Sequence, residues 1–163
     1  MPPNVELRHE LPSDYAAIDA LYRAAFGPGR HTRTAYRIRG ATPHDPAVSF
    51  VADRDGLVIG AIRQTRVSVG GDPAFLLGPL AVAETAAKQG LGRALLARSI
   101  AAAERTRAAS IVLVGDLPFY GHAGFRPASE RIRLPGPVEP HRLLERVIHH
   151  EVVGMVESNA WAD

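Results

Sequence analysis

The stretch from residue 74 to residue 114 constrains the fold more than any other part of the chain. It begins with an apolar strand, Ala74–Val82, which a polar loop at Glu84–Gln89 separates from a helix at Gly90–Thr106. The helix is followed by Ser110–Val114, a short apolar segment typical of a strand buried on both faces. The inner side of the helix carries apolar residues at helical spacing, namely Leu91, Leu95, Leu96, Ile100 and Ala103. This strand–loop–helix–strand unit predicts an α/β fold with the unit at the centre of its sheet.

The first 40 residues predict one strand and two helices. Val5–His9 alternates apolar and polar residues, as a half-buried strand does. Pro12, Ser13 and Asp14 form a helix-start signal, and the helix should end at Gly27-Pro28-Gly29. Its predicted apolar face consists of Tyr15, Ile18, Leu21, Tyr22 and Phe26. A second helix is predicted over His31–Arg39, followed by a loop at Gly40–Asp45.

Three antiparallel strands joined by short turns follow. They are predicted at Ser49–Ala52, Leu57–Val69 and Ala74–Val82. Arg54-Asp55-Gly56 is a hairpin signal, because Asp-Gly tolerates the positive φ angles of a tight turn. Gly70-Gly71-Asp72-Pro73 predicts the second turn. The sheet should therefore be mixed and mostly antiparallel.

The remaining segments are shorter. One helical turn is predicted at Pro118–Ala123, and the tail from Arg126 onward alternates turns with apolar stretches and ends in a strand at Glu151–Val156. A chain of 163 residues suits one domain of ordinary size, so residues 1–163 are interpreted as a single domain.

Composition excludes several classes of protein. Cysteine is absent, which excludes a disulfide framework, a zinc–thiolate site and a thiol nucleophile. No apolar run reaches the length of a transmembrane helix, and Met1–Glu10 lacks the pattern of a secretory signal, so we expect a soluble cytoplasmic protein. The net charge is +2, and all of the 19 basic residues except Lys88 are arginines spread along the chain. Without a basic stripe interleaved with aromatic residues, nucleic-acid binding is not predicted.

A glycine-containing turn at the start of the central helix is the first motif that carries chemistry. Gln89-Gly90-Leu91-Gly92-Arg93-Ala94 follows a strand and opens a helix. Glycine allows close backbone approach, and free N–H groups at a helix start favour an anion such as a pyrophosphate. The alternative is a helix start that merely needs small residues. The segment is neither a Walker loop nor a dinucleotide fingerprint, because Gly-Lys-Ser/Thr is absent and Leu95 occupies the third glycine position.

Two further motifs flank this turn. Gly78-Pro79 interrupts an apolar strand, which predicts a bulge or a local splaying of the sheet, or else an edge strand that tolerates the proline. The run Phe119–Phe125 contains Gly121 and Gly124, which mark a tight turn. This turn can place Tyr120 at the end of the sheet near the helix start, although a tyrosine in the core is the alternative.

At these residues the sequence resembles the GNAT superfamily of acyl-CoA-dependent N-acetyltransferases, and most of all the YhbS-like branch of predicted bacterial enzymes. The matching stretches are Leu77–Val82, Gln89–Leu96 and Val114–Asp116 with Phe119–Phe125. The resemblance implies a central twisted sheet, flanked by helices, whose fourth and fifth strands splay apart. It also implies acetyl-CoA as co-substrate, bound in that gap.

The resemblance implies the following cofactor-binding positions: Leu80, Ala81, Val82, Lys88, Gln89, Gly90, Leu91, Gly92, Arg93 and Ala94. Leu80 and Val82 map to the strand whose backbone contacts the pantetheine arm and the acetyl carbonyl, and the other set maps to the pyrophosphate loop. The family pattern has Gln or Arg three residues before the first loop glycine, where this chain has Ala87. We expect that departure to weaken cofactor binding without abolishing it.

Tyr120 matches the family's general-acid position, which implies that its hydroxyl protonates the departing CoA thiolate. The general base stays open among Glu84, Asp116, His122 and ordered water. Glu145, His149 and His150 share helical spacing, but without a third convincing type of ligand they predict a solvated face and no metal site.

The resemblance implies transfer of acetyl from acetyl-CoA to a primary amine of a small molecule or peptide, by direct attack in a ternary complex. The acceptor should contact residues 15–40 and 126–157, where Arg33, Arg37 and Arg39 favour an anionic amine, although a codon bias towards arginine explains them as well. A homodimer is compatible with the family. The alternatives are a non-catalytic acyl-CoA-binding sensor or scaffold, and a more distant, unrelated nucleotide-binding α/β protein.

Overall fold

The computed structural model describes residues 2–27, 34–40, 42–158 and 161–163, apart from the side chains of residues 34 and 36. Four helices lie in this part of the chain: α1 (Tyr15–Phe26), α2 (Thr34–Gly40), α3 (Leu91–Glu104) and α4 (Leu117–Tyr120). The strands are β1 (Val5–His9), β2 (Phe50–Arg54), β3 (Leu57–Val69), β4 (Asp72–Val82), β5 (Ser110–Val114), β6 (Arg126–Pro127), β7 (Ile132–Arg133), β8 (Leu143–Val147) and β9 (Gly154–Glu157).

The strands form a mixed, mostly antiparallel sheet. The order is β1-β2-β3-β4-β5-β8-β6, and β9 pairs with both β3 and β7. Strands β4 and β5 run parallel, as a crossover through α3 requires, whereas β1 to β4 form antiparallel neighbours in chain order. The central strand–loop–helix–strand unit therefore lies in the middle of the sheet, as predicted.

Helices cover both faces of the sheet. On one face, α3 packs its predicted inner residues against Phe50, Ile62, Phe75 and Ile111 in the largest buried cluster. On the other face, Ile18 and Tyr22 of α1 pack on β2, β3 and β4, and Ile38 of α2 joins a third cluster with the tail. Alternate residues of β4 and β5 thus enter opposite layers, which is why these two strands are apolar along most of their length.

The sequence predictions differ from the structure chiefly at α1 and in the tail. Tyr15, predicted on the buried face of α1, is 45% exposed. The tail contains four short strands instead of one clear strand, and β8 was missed. Glu145 lies in β8, so the prediction that it shares a helix face with His149 and His150 is wrong. The predicted start of the second helix, at residues 31–33, lies outside the described residues.

A buried ion pair ties β1 to the start of α1. Arg8 Nη1 and Nη2 donate to the two carboxylate oxygens of Asp14 at 2.8 and 3.0 Å, and the Leu11 N–H donates to Asp14 Oδ2 at 2.8 Å. The hydrogen bonds from Arg8 hold the pKa of Asp14 below its ordinary value. A depressed pKa in the folded state means that the stabilisation is present above about pH 4, the unfolded pKa, and is lost as the pH falls through the folded pKa.

We therefore expect Asp14→Asn to lower the free energy of unfolding by about 1–3 kcal/mol at pH 7, because the Arg8 guanidinium loses one of its two charged partners and keeps only Asp53. The loss should shrink towards pH 2, where wild-type Asp14 is protonated as well. Urea unfolding at both pH values measures this. Glu151→Gln is the matched control, since Glu151 pairs with Arg126 on an exposed surface and should cost less than about 1 kcal/mol. Equal losses in the two variants at pH 7 would contradict the prediction.

Candidate active site

A gap opens in the sheet between β4 and β5. The two strands pair over only three positions, from Ala74–Ser110 to Leu76–Val112, and separate beyond them. The separation begins beside Gly78, where the register of β4 against β3 shifts and φ is +122°. Because β4 has a strand on each side, the edge-strand interpretation of Gly78-Pro79 is wrong, and the predicted bulge and splaying are confirmed.

The splayed strands enclose a cavity of about 840 Å³. One wall is the segment Leu77–Leu80 of β4, and the facing wall is Val114–Asp116 together with Tyr120. The remaining walls come from α1, from α2 and the segment after it, from β3, and from residues 137–139 and 142. These helical and tail segments are the ones in which the sequence analysis placed the acceptor.

Tyr120 is held at the inner end of this cavity by aromatic and glycine contacts. Its ring meets Phe119 and Phe125 edge-on, with centroids 4.8 and 5.9 Å apart. It also lies flat against Gly115, where a Cβ atom would come within 2.5 Å of Tyr120 Cε2. Burial, assisted by the charge of Asp116, raises the pKa of Tyr120 to about 12. The hydroxyl is therefore protonated throughout the neutral and moderately alkaline range and can act as a proton donor.

The loop before α3 has the backbone of an anion site. Lys88 and Gly90 have φ angles of +62° and +81°, and the helix begins at Leu91 with no side-chain cap. Ala94 N–H donates to Gly90 O at 3.0 Å, so the N–H groups of residues 91–93 precede the first intrahelical bond. Uncapped N–H groups at the positive end of a 14-residue helix favour a phosphate.

Two predicted loop positions have their own surroundings. Ala87 is exposed, and its N–H donates to Glu84 O at 3.1 Å. The Gln89 side chain accepts a hydrogen bond from Arg54 Nη2 at 2.9 Å, a link between the loop and β2 that sequence reasoning missed. Arg54 therefore brings a third cation to a loop that already carries Lys88 and Arg93.

Phe119 connects the loop with the cavity. Its ring lies within 3.6 Å of the position that a Cβ of Gly92 would take, and Val82 Cγ2 lies 3.8 Å from the same point. Arg93 lies over the Phe119 ring at 6.0 Å. Phe119 and Tyr120 are consecutive residues of α4: Phe119 contacts the start of α3, and Tyr120 lines the cavity. The structure thus brings the three sequence motifs together, although Phe119 received no separate role from the sequence.

The backbone of β4 faces the gap with donors at alternate residues. Ala83 N–H donates to Ile59 O in β3 at 2.8 Å. Because successive backbone N–H groups of a strand point to opposite edges, the Val82 N–H points away from β3 and towards the gap. Leu80, two residues earlier, shares that direction and also lines the cavity.

The three side chains predicted as possible bases fall in different places. Glu84 and His122 are exposed and do not line the cavity. Asp116 does line it, but its side chain is 75% exposed and pairs with Arg142 at 3.3 Å. Of the arginines predicted to favour an anionic acceptor, Arg39 lines the cavity beside Gly78, Arg37 is exposed, and Arg33 lies outside the described residues.

Sequence reasoning missed a second polar cluster on the α1 side of the cavity. His44 and Arg63 line the cavity, and the buried carboxylate of Glu10 lies between them. The sequence gives no local sign of this cluster, because Glu10 and Arg63 are 53 positions apart. Within the described ranges, no group of three or more His, Cys, Asp and Glu side chains is arranged to hold a metal ion.

A sequence profile of the acetyltransferase (GNAT) domain matches residues 45–127, which include the splayed strands, the loop and Tyr120. This chain belongs to the GNAT family of acetyltransferases. The acetyltransferase is 31% identical over 162 residues to the N-acetyltransferase YhbS of Escherichia coli strain K12, and the alignment covers 93% of this chain and 94% of YhbS.

Solved structures show the same fold. The acetyltransferase is similar to Escherichia coli YhbS in complex with CoA, with a TM-score of 0.79, 27% identity and coverage of 96% of this chain and 92% of that one. It is also similar to a GNAT family acetyltransferase from Brucella melitensis in complex with acetyl-CoA, with a TM-score of 0.69, 25% identity and 96% coverage of each chain. The predicted family and fold class are confirmed. In the described part of the acetyltransferase, no helix has the length and apolar character needed to span a membrane.

Proposed function

We propose that the protein, as one domain over residues 1–163, transfers acetyl from acetyl-CoA to a primary amine of a small molecule or peptide. The observation that carries this proposal is the gap between β4 and β5, with Tyr120 in the wall of its cavity and an uncapped helix start beside Val82 at the end of β4. The CoA and acetyl-CoA complexes of the similar acetyltransferases support it. When bound, acetyl-CoA supplies an activated acetyl thioester.

The chain offers a donor set that fits the co-substrate. The N–H groups of residues 90–93 would hold the pyrophosphate, with Lys88, Gln89 and Ala94 beside them, since they lie at an uncapped helix start. The backbone of Leu80, Ala81 and Val82 would hold the pantetheine arm, because β4 has lost its β5 partner there. The backbone N–H and C=O groups of a strand segment that no longer pairs with a neighbouring strand are available to form hydrogen bonds with an extended ligand.

Two groups of the chain then act on the reacting atoms. The Val82 N–H, directed into the gap, would stabilise negative charge on the acetyl oxygen. The Tyr120 hydroxyl would donate its proton to the sulfur, because a protonated thiol is a better leaving group than a thiolate. The walls of the cavity would hold amine and thioester together, which itself supplies part of the rate.

Calorimetric titration tests the co-substrate. We expect acetyl-CoA to bind in the micromolar range and ATP to bind far more weakly, because ATP lacks the pantetheine arm that β4 accommodates. Primary amines can then be screened by the release of free thiol from acetyl-CoA. Equal affinity for ATP and acetyl-CoA would favour an unrelated nucleotide-binding role. Tight acetyl-CoA binding without transfer to any amine would favour the non-catalytic sensor or scaffold.

The same titration tests the loop through Ala87→Arg. The added guanidinium at this exposed position should tighten acetyl-CoA binding by about two- to fivefold, which corresponds to an exposed ion pair worth up to about 1 kcal/mol. The gain should fall at high salt. Ala101→Arg, which adds the same charge on the exposed side of α3 near its other end, is the control and should leave the Kd unchanged. An equal gain in acetyl-CoA affinity in both variants would contradict the assignment of the pyrophosphate site to this loop.

A further inference from the structure

Glu10, His44 and Arg63 form a buried cluster at the acceptor side of the cavity. The Glu10 side chain is only 1% exposed, and its two oxygens have different partners. Arg63 Nε donates to Glu10 Oε2 at 3.0 Å, and His44 Nε2 contacts Glu10 Oε1. A carboxylate this deeply buried is favourable only with such charged or donating partners.

His44 is fixed in position from two sides. Its backbone forms an isolated β-bridge with Thr65 of β3, and its ring meets the ring of Tyr15 edge-on at 5.9 Å. The side chain is 18% exposed and lines the cavity. The imidazole therefore has one edge on the buried carboxylate of Glu10 and lies in the wall of the cavity in which the amine must bind.

The contact with Glu10 also selects the tautomer. When Nε2 carries the hydrogen and donates it to the carboxylate, the lone pair lies on Nδ1. A carboxylate behind an imidazole orients the ring and fixes which nitrogen carries the hydrogen. Burial raises the pKa of Glu10 above its ordinary value, and the charge and hydrogen bond of Arg63 oppose that shift and favour the ionised carboxylate. In this arrangement His44 is the proton acceptor, and Glu10 is the residue that positions it.

We propose that His44, positioned by Glu10, is the catalytic base of the acetyl transfer. The inference rests on the proposed function. In the reaction, the amine nitrogen bonds to the acetyl carbonyl carbon while the carbon–sulfur bond breaks. The proton lost by the nitrogen goes to His44 Nδ1, and the sulfur takes a proton from Tyr120. His44 then releases its proton to solvent and Tyr120 regains one, so that the products are the N-acetyl amine and free CoA thiol.

The surroundings of His44 keep its ring neutral. The groups that face it are Glu10, Arg63 of β3 and the neighbouring Asp45. Burial and the charge of Arg63 lower the pKa of His44 to about 4, and Asp45 opposes the shift. The imidazole is therefore neutral at the pH of an ordinary assay, with a lone pair available. The structure places none of Glu84, Asp116 and His122 in a comparably buried position.

The test uses the intact protein, acetyl-CoA and an amine found in the thiol-release screen. His44→Ala should lower kcat by about 100-fold, the usual contribution of a general base, while the Kd for acetyl-CoA measured by calorimetry changes less than twofold. Added imidazole should restore part of the rate to His44→Ala, and more basic methylimidazoles should restore more. Pyrazole, a ring of the same size and far weaker basicity, should not. His122→Ala is the matched control and should keep full activity.

Glu10→Gln tests the positioning role. It should lower kcat in a background where His44 is present and should add little to the loss in His44→Ala, because Glu10 acts through His44. Full activity in His44→Ala and His44→Gln, or equal rescue by imidazole and pyrazole, would overturn the proposal while leaving acetyl transfer intact. Absence of acetyl-CoA binding and of transfer in the wild type would instead overturn the proposed function, and the base role with it.

Discussion

Tyr120→Phe should lower kcat at least tenfold and leave the Kd for acetyl-CoA almost unchanged. The variant removes one hydroxyl and keeps the ring that packs against Gly115, Phe119 and Phe125. The predicted loss is therefore chemical: the departing thiolate must take its proton from water instead of from a positioned donor, and such donors contribute about 10²–10⁴ in rate. Steady-state kinetics with the screened amine, together with calorimetry, separates kcat from binding.

The pH dependence gives a second readout of the same residue. Because burial raises the pKa of Tyr120 to about 12, the wild type should not lose its proton donor between pH 8 and 10, whereas an ordinary tyrosine, with a pKa of about 10, would be half ionised at the upper end of that range. Tyr15→Phe is the control, since it removes a hydroxyl from a half-exposed tyrosine and keeps the ring that meets His44. Unchanged kcat in Tyr120→Phe would remove the general-acid role from this residue, whatever the co-substrate affinity.

Gly70→Ala should cost about 3 kcal/mol or more of stability, or prevent folding. Gly70 has φ +57°, and a Cβ there would lie 1.9 Å from Val153 O, a backbone atom that cannot rotate away. Gly154 makes the reciprocal approach, since its Cβ would lie 2.6 Å from Gly70 Cα. The two backbones are joined by a hydrogen bond from Gly70 N–H to Met155 O. An added methyl group must therefore push β9 off β3 and add left-handed backbone strain.

Gly71→Ala separates these two causes. Gly71 is also left-handed, with φ +91°, but a Cβ there meets nothing within 4 Å. Gly71→Ala should therefore lower the free energy of unfolding only by the cost of left-handed backbone strain, about 1–2 kcal/mol. Urea unfolding of both variants gives the difference in the free energy of unfolding. Equal losses would show that the close crossing of the two backbones contributes nothing, and that β9 is held on β3 by other contacts.

Sequence reasoning was most successful where one physical cause decides the structure. The predicted bounds of β1, β3 and β5 agree with the structure, because strand alternation and apolar runs are local signals. The Asp-Gly turn was predicted, and Asp55 and Gly56 have φ angles of +52° and +88°. All five residues predicted on the inner side of α3 are buried, since a helix against a sheet shows its period directly.

The failures came where tertiary contacts override local patterns. Strand β8 is central to its half of the sheet, yet its sequence, Leu143–Val147, carries two charged residues. Glu145 is buried there, with Ser129 N–H and Arg126 near its carboxylate. Tyr15 follows the helical period but is left exposed, because it lies at the first turn of α1, where β3 presents Arg63. No single-sequence pattern contains these partners.

Local sequence patterns are enough to predict the order of elements around residues 74–114, the interruption at Gly78-Pro79, the glycine turn before α3 and the position of Tyr120 after a buried strand. Those features depend on residues that are close together in the chain, and the conformational preferences of those residues follow from their types. The tertiary structure alone decided that β4 leaves β5 after Leu76, that Phe119 joins the loop to the cavity, and that Glu10, His44 and Arg63 meet. Contacts between residues tens of positions apart are set by packing of the whole sheet, and packing leaves no local signal in the sequence.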